Sequence, residues 1–297
     1  MDTSSTQVLL GTATPGGGFP FYGDAAAANV NETDPSLSVQ TQNTAGSAEN
    51  IQLLEGGRLD MALVAGEPAY EAFAGIGRPK SNLKIIAAIY SSPGMFGVRK
   101  DSSATSVRDL IGKPIVWGTR ASGITLLGKY VMDGLGLDRD TDFQPLYLDK
   151  AADGPLLVNE GCAAAQWGAG IGWPAFTAIT KAGGRLIGLL PEEIEKVRNK
   201  HNFLKPISVP AGSYPGQKQP IRAVGSWSYI LGRPDLDEDV AYRFARALAL
   251  GREKLMRQVA QAAETLPENT LAASPKREQI HAGVLRYLAE AGVANTG

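Results

Sequence analysis

The sequence predicts an α/β protein of two lobes, each a mostly parallel sheet with helices on both faces and with a hinge between the lobes; three observations predict it. Short apolar runs alternate with helix-prone segments through the first third of the chain, and the alternation resumes after an interruption at Pro93 and Gly94. At 297 residues the chain is long enough for two lobes that each bury a core. Segments near both ends read as parts of the same lobe, so the chain passes between the lobes twice.

Val8 to Leu10 reads as a strand and the alanine-rich segment from Asp24 as a helix, with the glycine-rich turn GTATPGGGFPFYG, Gly11 to Gly23, between them. Strand and helix alternate again at Ser38 to Thr41 and Ser47 to Leu54, at Met61 to Val64 and Glu67 to Phe73, and then at the strand Leu83 to Tyr90. A second series starts with the strand Pro114 to Trp117 and the helix Ile124 to Gly134. It continues with a helix over Asp153 to Glu160, a strand over Ala163 to Trp167, a helix over Ala175 to Ala182 and a strand over Arg185 to Leu189. Pro206, Pro210, Pro215 and Pro220 make the stretch they span irregular. The apolar run Val224 to Leu231 reads as a strand returning the chain to the first lobe, where helices over Asp237 to Met256 and Lys276 to Ala291 pack. The expected lobes are therefore residues 1-92 with 226-297, and residues 93-225.

Composition excludes several classes. The formal charge is −1 with both signs dispersed, so no footprint for a nucleic acid or an anionic membrane exists. Apolar runs fall far short of the roughly 20 residues that span a bilayer. Cys162 is the only cysteine, so no intrachain disulfide forms. His201 and His281 lack neighbouring acids or thiols at metal-ligand spacing, and no metal or cofactor is expected. GTRASG is not a nucleophile elbow, and the opening glycines lack the Lys-Ser or Lys-Thr of a P-loop, so no catalytic residue is expected either. The N-terminal MDTSSTQ has no basic or apolar export region, as expected both of a mature exported form and of a cytosolic protein.

The candidate site lies in three loops that join a strand to a helix. Thr12, Thr14, Gly16 and Gly17 occupy the first, with Tyr22 after them; unpaired N–H groups and the helix dipole favour an anion there, and glycine admits close approach to the main chain. The second, NTAGSAEN, offers Gly46, Ser47 and Asn50, with Ser47 in the N-cap position. The third, GTRASGIT, offers Ser122, Gly123 and Thr125 at a helix start, and Arg120, whose two-pronged guanidinium suits a carboxylate. Tyr90, Trp167 and Trp173 are candidate pocket walls. Each has a plainer reading beside the functional one. Ser47 and Asn50 also fit a helix start, the glycines a tight turn, Arg120 a surface cation, and the aromatics a core.

In order and spacing, GTATPGGGFPFYG, NTAGSAENIQLLEGGRLDMALV, DLIGKPIVWGTRASG, GWPAF, VPAGSYPGQ and DVAYRFARAL together resemble the TAXI-type solute-binding proteins of TRAP transporters, across nearly the whole chain. The resemblance implies a type II periplasmic-binding-protein fold and a periplasmic, non-enzymatic monomer that closes its lobes on a small carboxylate, glutamate-like or dicarboxylate, and delivers it to a TRAP permease. Arg120, Ala121, Ser122 and Gly123 depart from the family's usual GSG, and Ala13, Thr14 and Pro15 from its glycine-richer first loop. Two other readings stand beside it: a binding protein of an ABC importer for nitrate, sulfonate or aromatic acids, and a tetrapyrrole-forming deaminase tethering its cofactor through Cys162.

Overall fold

The computed structural model describes residues 5–149, 165–167 and 170–293. Its first elements are β1 (Thr6–Gly11), α1 (Gly18–Thr33), β2 (Leu37–Gln42), α2 (Ser47–Glu55), β3 (Met61–Ala65), α3 (Gly66–Ala74) and β4 (Lys84–Pro93). Next come β5 (Phe96–Val98), β6 (Pro114–Val116), α4 (Gly123–Gly134), β7 (Gln144–Leu146), β8 (Ala165–Trp167), α5 (Pro174–Lys181), β9 (Arg185–Ile187) and α6 (Pro191–Lys200). The last are β10 (Lys205–Val209), β11 (Ile221–Gly232), α7 (Glu238–Leu250), α8 (Arg252–Gln258), α9 (Pro267–Ala273) and α10 (Ala282–Glu290). Two compact units divide the chain: Met1–Thr14, Phe19–Tyr90 and Trp227–Gly297 make unit 1, and Pro15–Gly18 with Ser91–Ser226 make unit 2.

In unit 1, β1 lies between β2 and β3 and is parallel to both, with Thr6 opposite Leu37 and Leu10 opposite Met61. Every residue of β3 is buried, as a strand covered on both faces requires. The second half of β11 runs antiparallel to β3, Ser228 opposite Ala65, and β4 also pairs with β11. In unit 2 the strand order is β7-β6-β8-β5-β9; β6 is parallel to β7 and β8, whereas β5 is antiparallel to β8 and β9. The expected mostly parallel sheets are thus mixed. β5 and β11 enter their sheets as extended chain rather than through a crossover helix, so nothing turns them to run with their neighbours.

Each unit has its own core. Leu10, Val30, Leu63, Ile86 and Phe244 belong to one cluster in unit 1, and Ile51, Leu54, Val64 and Leu231 to another. In unit 2, Phe96, Trp117, Val131 and Trp167 pack together, with Phe96 edge-on to Trp167 at 4.6 Å between centroids.

Several boundaries differ from expectation. The first helix begins at Gly18 rather than Asp24, so the glycine-rich turn is shorter than its composition suggests. Lys205–Val209 is a strand despite Pro206, because β10 is the terminal strand of its sheet, where a missing N–H is tolerated. The helix expected over Asp237 to Met256 breaks at Gly251, where a Cβ would stand 1.9 Å from Asn29 Oδ1; Asn29 Nδ2 donates to the Gly251 carbonyl. The last helix starts only at Ala282, capped by His281, whose Nδ1 accepts from the Gly283 N–H at 3.2 Å. The helices α6 and α9 have no counterpart in the periodicity reading, though Pro191 and Pro267 at their starts are the signal for both. The helix expected over Asp153 to Glu160, the first residues of the strand expected from Ala163, and Cys162 lie outside the described residues.

Candidate functional site

Because β2, β1 and β3 run parallel, their carboxyl ends and the starts of α1, α2 and α3 share one edge of the unit 1 sheet. Threonine and asparagine stitch these ends together. The Thr12 N–H donates to the Gln42 carbonyl at 2.9 Å, its hydroxyl faces Gln42 O and Asn43 Oδ1, and Thr44 Oγ1 donates to the Thr12 carbonyl at 3.3 Å. Asn50 is fully buried, and its Nδ2 donates to both Thr12 O and Leu63 O at 2.7 Å.

Ser47 does not cap α2. The N-cap is Gly46 at φ 127°, a left-handed conformation in which a side chain is strained, and no side chain caps the helix. Ser47 is the first helical residue, buried, with Oγ accepting the Ala65 N–H at 3.1 Å, so it joins α2 to the end of β3. Glu49 complements the helix start, accepting the Ala45 N–H at 2.5 Å. Thr14 is half-buried and Gly16, at φ 82°, is exposed beside Gly17.

The expected aromatic walls sit in cores. Tyr22 and Tyr90 are buried in unit 1, edge to face at 5.4 Å, and the Tyr22 hydroxyl meets Thr265 Oγ1 at 2.9 Å. Burial raises both phenols well above their ordinary pKa, so they stay neutral. Trp167 packs on Phe96 and Trp117, and Trp173 packs on Phe176 at 5.3 Å within the cluster around Tyr214. The Tyr214 hydroxyl accepts the Gly172 N–H at 2.9 Å, and burial pushes its pKa up to about 12.

In unit 2 the parallel strands β7, β6 and β8 likewise end at one edge of their sheet. After β6 the chain turns through Gly118, at φ 96°, and Ser122 caps α4, its Oγ accepting the Ile124 N–H at 3.3 Å. Gly123 is the first helical residue, and the buried Thr125 hydroxyl faces Trp117 O at 2.9 Å and Thr119 O at 2.8 Å, tying the loop down. Arg120 is exposed at the top of this loop, and its guanidinium carbon lies 4.2 Å from the centre of the Tyr147 ring. No hydrogen bond or ion pair holds the Arg120 side chain among the described residues.

Thr12, Ser47 and Asn50 thus converge in unit 1, and Arg120, Ser122, Gly123 and Thr125 in unit 2; Tyr22, Tyr90, Trp167 and Trp173 are spread through the cores. Thr44 and Tyr147 are the residues that sequence reasoning misses. Thr44 lies inside NTAGSAEN, whereas Tyr147 follows β7, a strand so short and so interrupted by Pro145 that periodicity passes over it. Among the described residues no group of His, Cys, Asp and Glu could hold a metal ion, and no helix is long and apolar enough to cross a membrane.

The model of the NMT1-like family matches residues 10–292. Among solved structures, the alkanesulfonate-binding protein SsuA from Xanthomonas axonopodis pv. citri, bound to MOPS, aligns with a TM-score of 0.54 at 18% identity, over 96% of this chain and 84% of that one. A Streptococcus mutans structure concerned with glutathione import via GshT and the cystine ABC importer TcyBC aligns with a TM-score of 0.52 at 15% identity, over 93% of this chain and 100% of that one. A putative L-cystine ABC transporter from Listeria monocytogenes gives 0.51 at 13% identity, over 88% and 98%. At such identities the likeness shows the fold, that of extracytoplasmic solute-binding proteins. The resemblance to TAXI proteins holds at this coarser level only: neither the family nor these structures single out a TRAP system.

Proposed function

The chain belongs to the NMT1-like family, and from that premise we propose that it is the solute-binding component of a bacterial transport system, capturing a small acid outside the cytoplasm for an ABC-type importer. The observation that carries the reading is Arg120, an exposed guanidinium without a carboxylate partner among the described residues, beside the capped start of α4 at the carboxyl ends of parallel strands. The structural neighbours bound to MOPS or concerned with cystine and glutathione favour the ABC-type reading over a TRAP permease and its dicarboxylates. The second reading, a TAXI-type protein serving a TRAP permease, rests on the order of the sequence motifs.

Binding on this reading involves no covalent step, and closing of the lobes on the ligand is part of the proposal. The test is a thermal-shift screen of sulfonates, amino acids, dicarboxylates and aromatic acids, with the recovered compound analysed for turnover. A bound acid present at 100 times its Kd stabilises the protein by about 2.7 kcal/mol and raises Tm accordingly, and it is recovered unchanged. X-ray scattering of the same samples reads closure as a smaller radius of gyration. Absence of any shift across all four classes, or conversion of the compound, would refute the reading.

A further inference from the structure

Arg120 is held by a chain of contacts that begins and ends in its own loop. Thr125 Oγ1 fixes the carbonyls of Trp117 and Thr119; the Thr125 carbonyl accepts Arg139 Nη1–H at 2.7 Å. Arg139 grips Asp140 with two bonds, Nε to Oδ1 at 3.1 Å and Nη2 to Oδ2 at 2.9 Å. The Tyr147 hydroxyl donates to Asp140 Oδ1 at 2.9 Å, which sets the ring, and the ring carries Arg120 at 4.2 Å. A backbone bond from Leu148 N–H to the Gly118 carbonyl at 3.0 Å clasps the two loops beside this circuit.

The charges in the circuit are unequal. Asp140 is held below the ordinary carboxylate range, first by the Arg139 hydrogen bond, and Tyr147 is raised by burial and by Asp140, so the acid is an anion and the phenol a neutral donor. Arg139 and Asp140 neutralise each other, and among the described residues no ion pair neutralises Arg120; its partner is a ring face, which attracts the cation without occupying its N–H donors as a carboxylate would. Arg139 also approaches the ring, at 5.7 Å, and Lys129 acts on Asp140 with the same sign, so nothing named in the circuit cancels the Arg120 charge.

We propose that Tyr147 is a positioning residue that pre-orients Arg120 to receive one oxyanion of the solute, a sulfonate or a carboxylate, and that this single charge selects acids over their neutral amides. The proposal rests on the solute-binding reading and adds the residue that holds Arg120 in place for the anion. Without the ring, a long exposed side chain would lose rotamer freedom on meeting the anion, and affinity would fall.

The experiment measures Kd for ethanesulfonate, benzoate and glutamate, and for the neutral ethanesulfonamide and benzamide, by calorimetry on the full chain. Wild type is expected to bind at least one of the acids, and to bind ethanesulfonate or benzoate at least tenfold tighter than the corresponding amide. Arg120→Ala removes that preference. Tyr147→Leu weakens the bound acid by about two- to fivefold, as a cation–π contact worth ~0.5–1 kcal/mol at an exposed site predicts, Tyr147→Phe by clearly less, and Tyr147→Leu adds nothing in the Arg120→Ala background. If Tyr147→Leu does not fold, Arg120→Lys takes its place, with at least fivefold weaker binding expected because an ammonium lacks the planar fork. Equal losses from Tyr147→Leu in both backgrounds, an acid preference that survives Arg120→Ala, or unchanged affinity in Arg120→Lys would overturn the proposal while leaving the solute-binding reading intact. Failure of wild type to bind any of the three acids would overturn the proposal, and the solute-binding reading falls with it only where the full screen of acids also gives no shift.

Discussion

Asn50 illustrates how a polar side chain at a helix mouth serves the frame rather than the opening. Its amide bridges the carbonyls of Thr12, at the end of β1, and Leu63, in β3, at a fully buried position. Removing it leaves two buried carbonyls without those donors, and Asn50→Ala is expected to cost about 3 kcal/mol, read as a lower urea midpoint with an unchanged slope. Ser47 works in the same way on the Ala65 N–H. The sequence motif NTAGSAEN marks a strand-to-helix junction, because Gly, Ser, Thr and Asn signal such junctions by local chemistry, although Ser47 and Asn50 lie inside α2 rather than in the loop before it. It left open what the groups touch, since their partners lie on strands distant in sequence. Arg120 and Ser122 were legible for the same local reason, whereas Tyr147 was not: its importance comes only from the ring it places under Arg120.

Among elements, α7 is fastened to the turn after α1 by Arg243, whose Nε and Nη2 donate to the Asp34 carboxylate at 2.9 and 3.0 Å. The Arg243 hydrogen bond is the leading cause that lowers the Asp34 pKa from 3.8 to about 2. Since the folded value lies below the unfolded one, the contribution is fully present above about pH 4 and is lost as pH falls toward 2. Arg243→Gln is therefore expected to flatten the dependence of unfolding free energy on pH between about 4 and 2, and to lower stability at neutral pH. Denaturant titrations at stepped pH check both effects, and an unchanged acid limb would show that the pair is not coupled to folding. Helix ends were the least legible part of this level. The break falls at Gly251, where Asn29 leaves no room for a Cβ and its Nδ2 donates to the Gly251 carbonyl, a contact no periodicity reveals.

For the whole molecule, the separate cores make a sharp expectation. Leu63 lies fully buried in a cluster with Leu10, Val30 and Phe244, while Trp117, Phe96 and Val131 form the core of unit 2. Leu63→Ala is expected to cost about 2–5 kcal/mol and to speed hydrogen exchange in β1, β2, β3 and α1, leaving the amides of β5, β6 and α4 protected. Equal loss of protection in both units would mean that they unfold as one. The alternation of strands and helices and the loops of Gly, Ser and Thr at strand ends were readable from the residues alone, because periodicity and turn chemistry act over a few residues. That both sheets are mixed, that the candidate aromatic walls fill cores and that Tyr147 carries Arg120 emerged with the packed chain alone. Strand direction, burial and ring contacts depend on which distant segments meet, and that is set by packing rather than by neighbours along the chain.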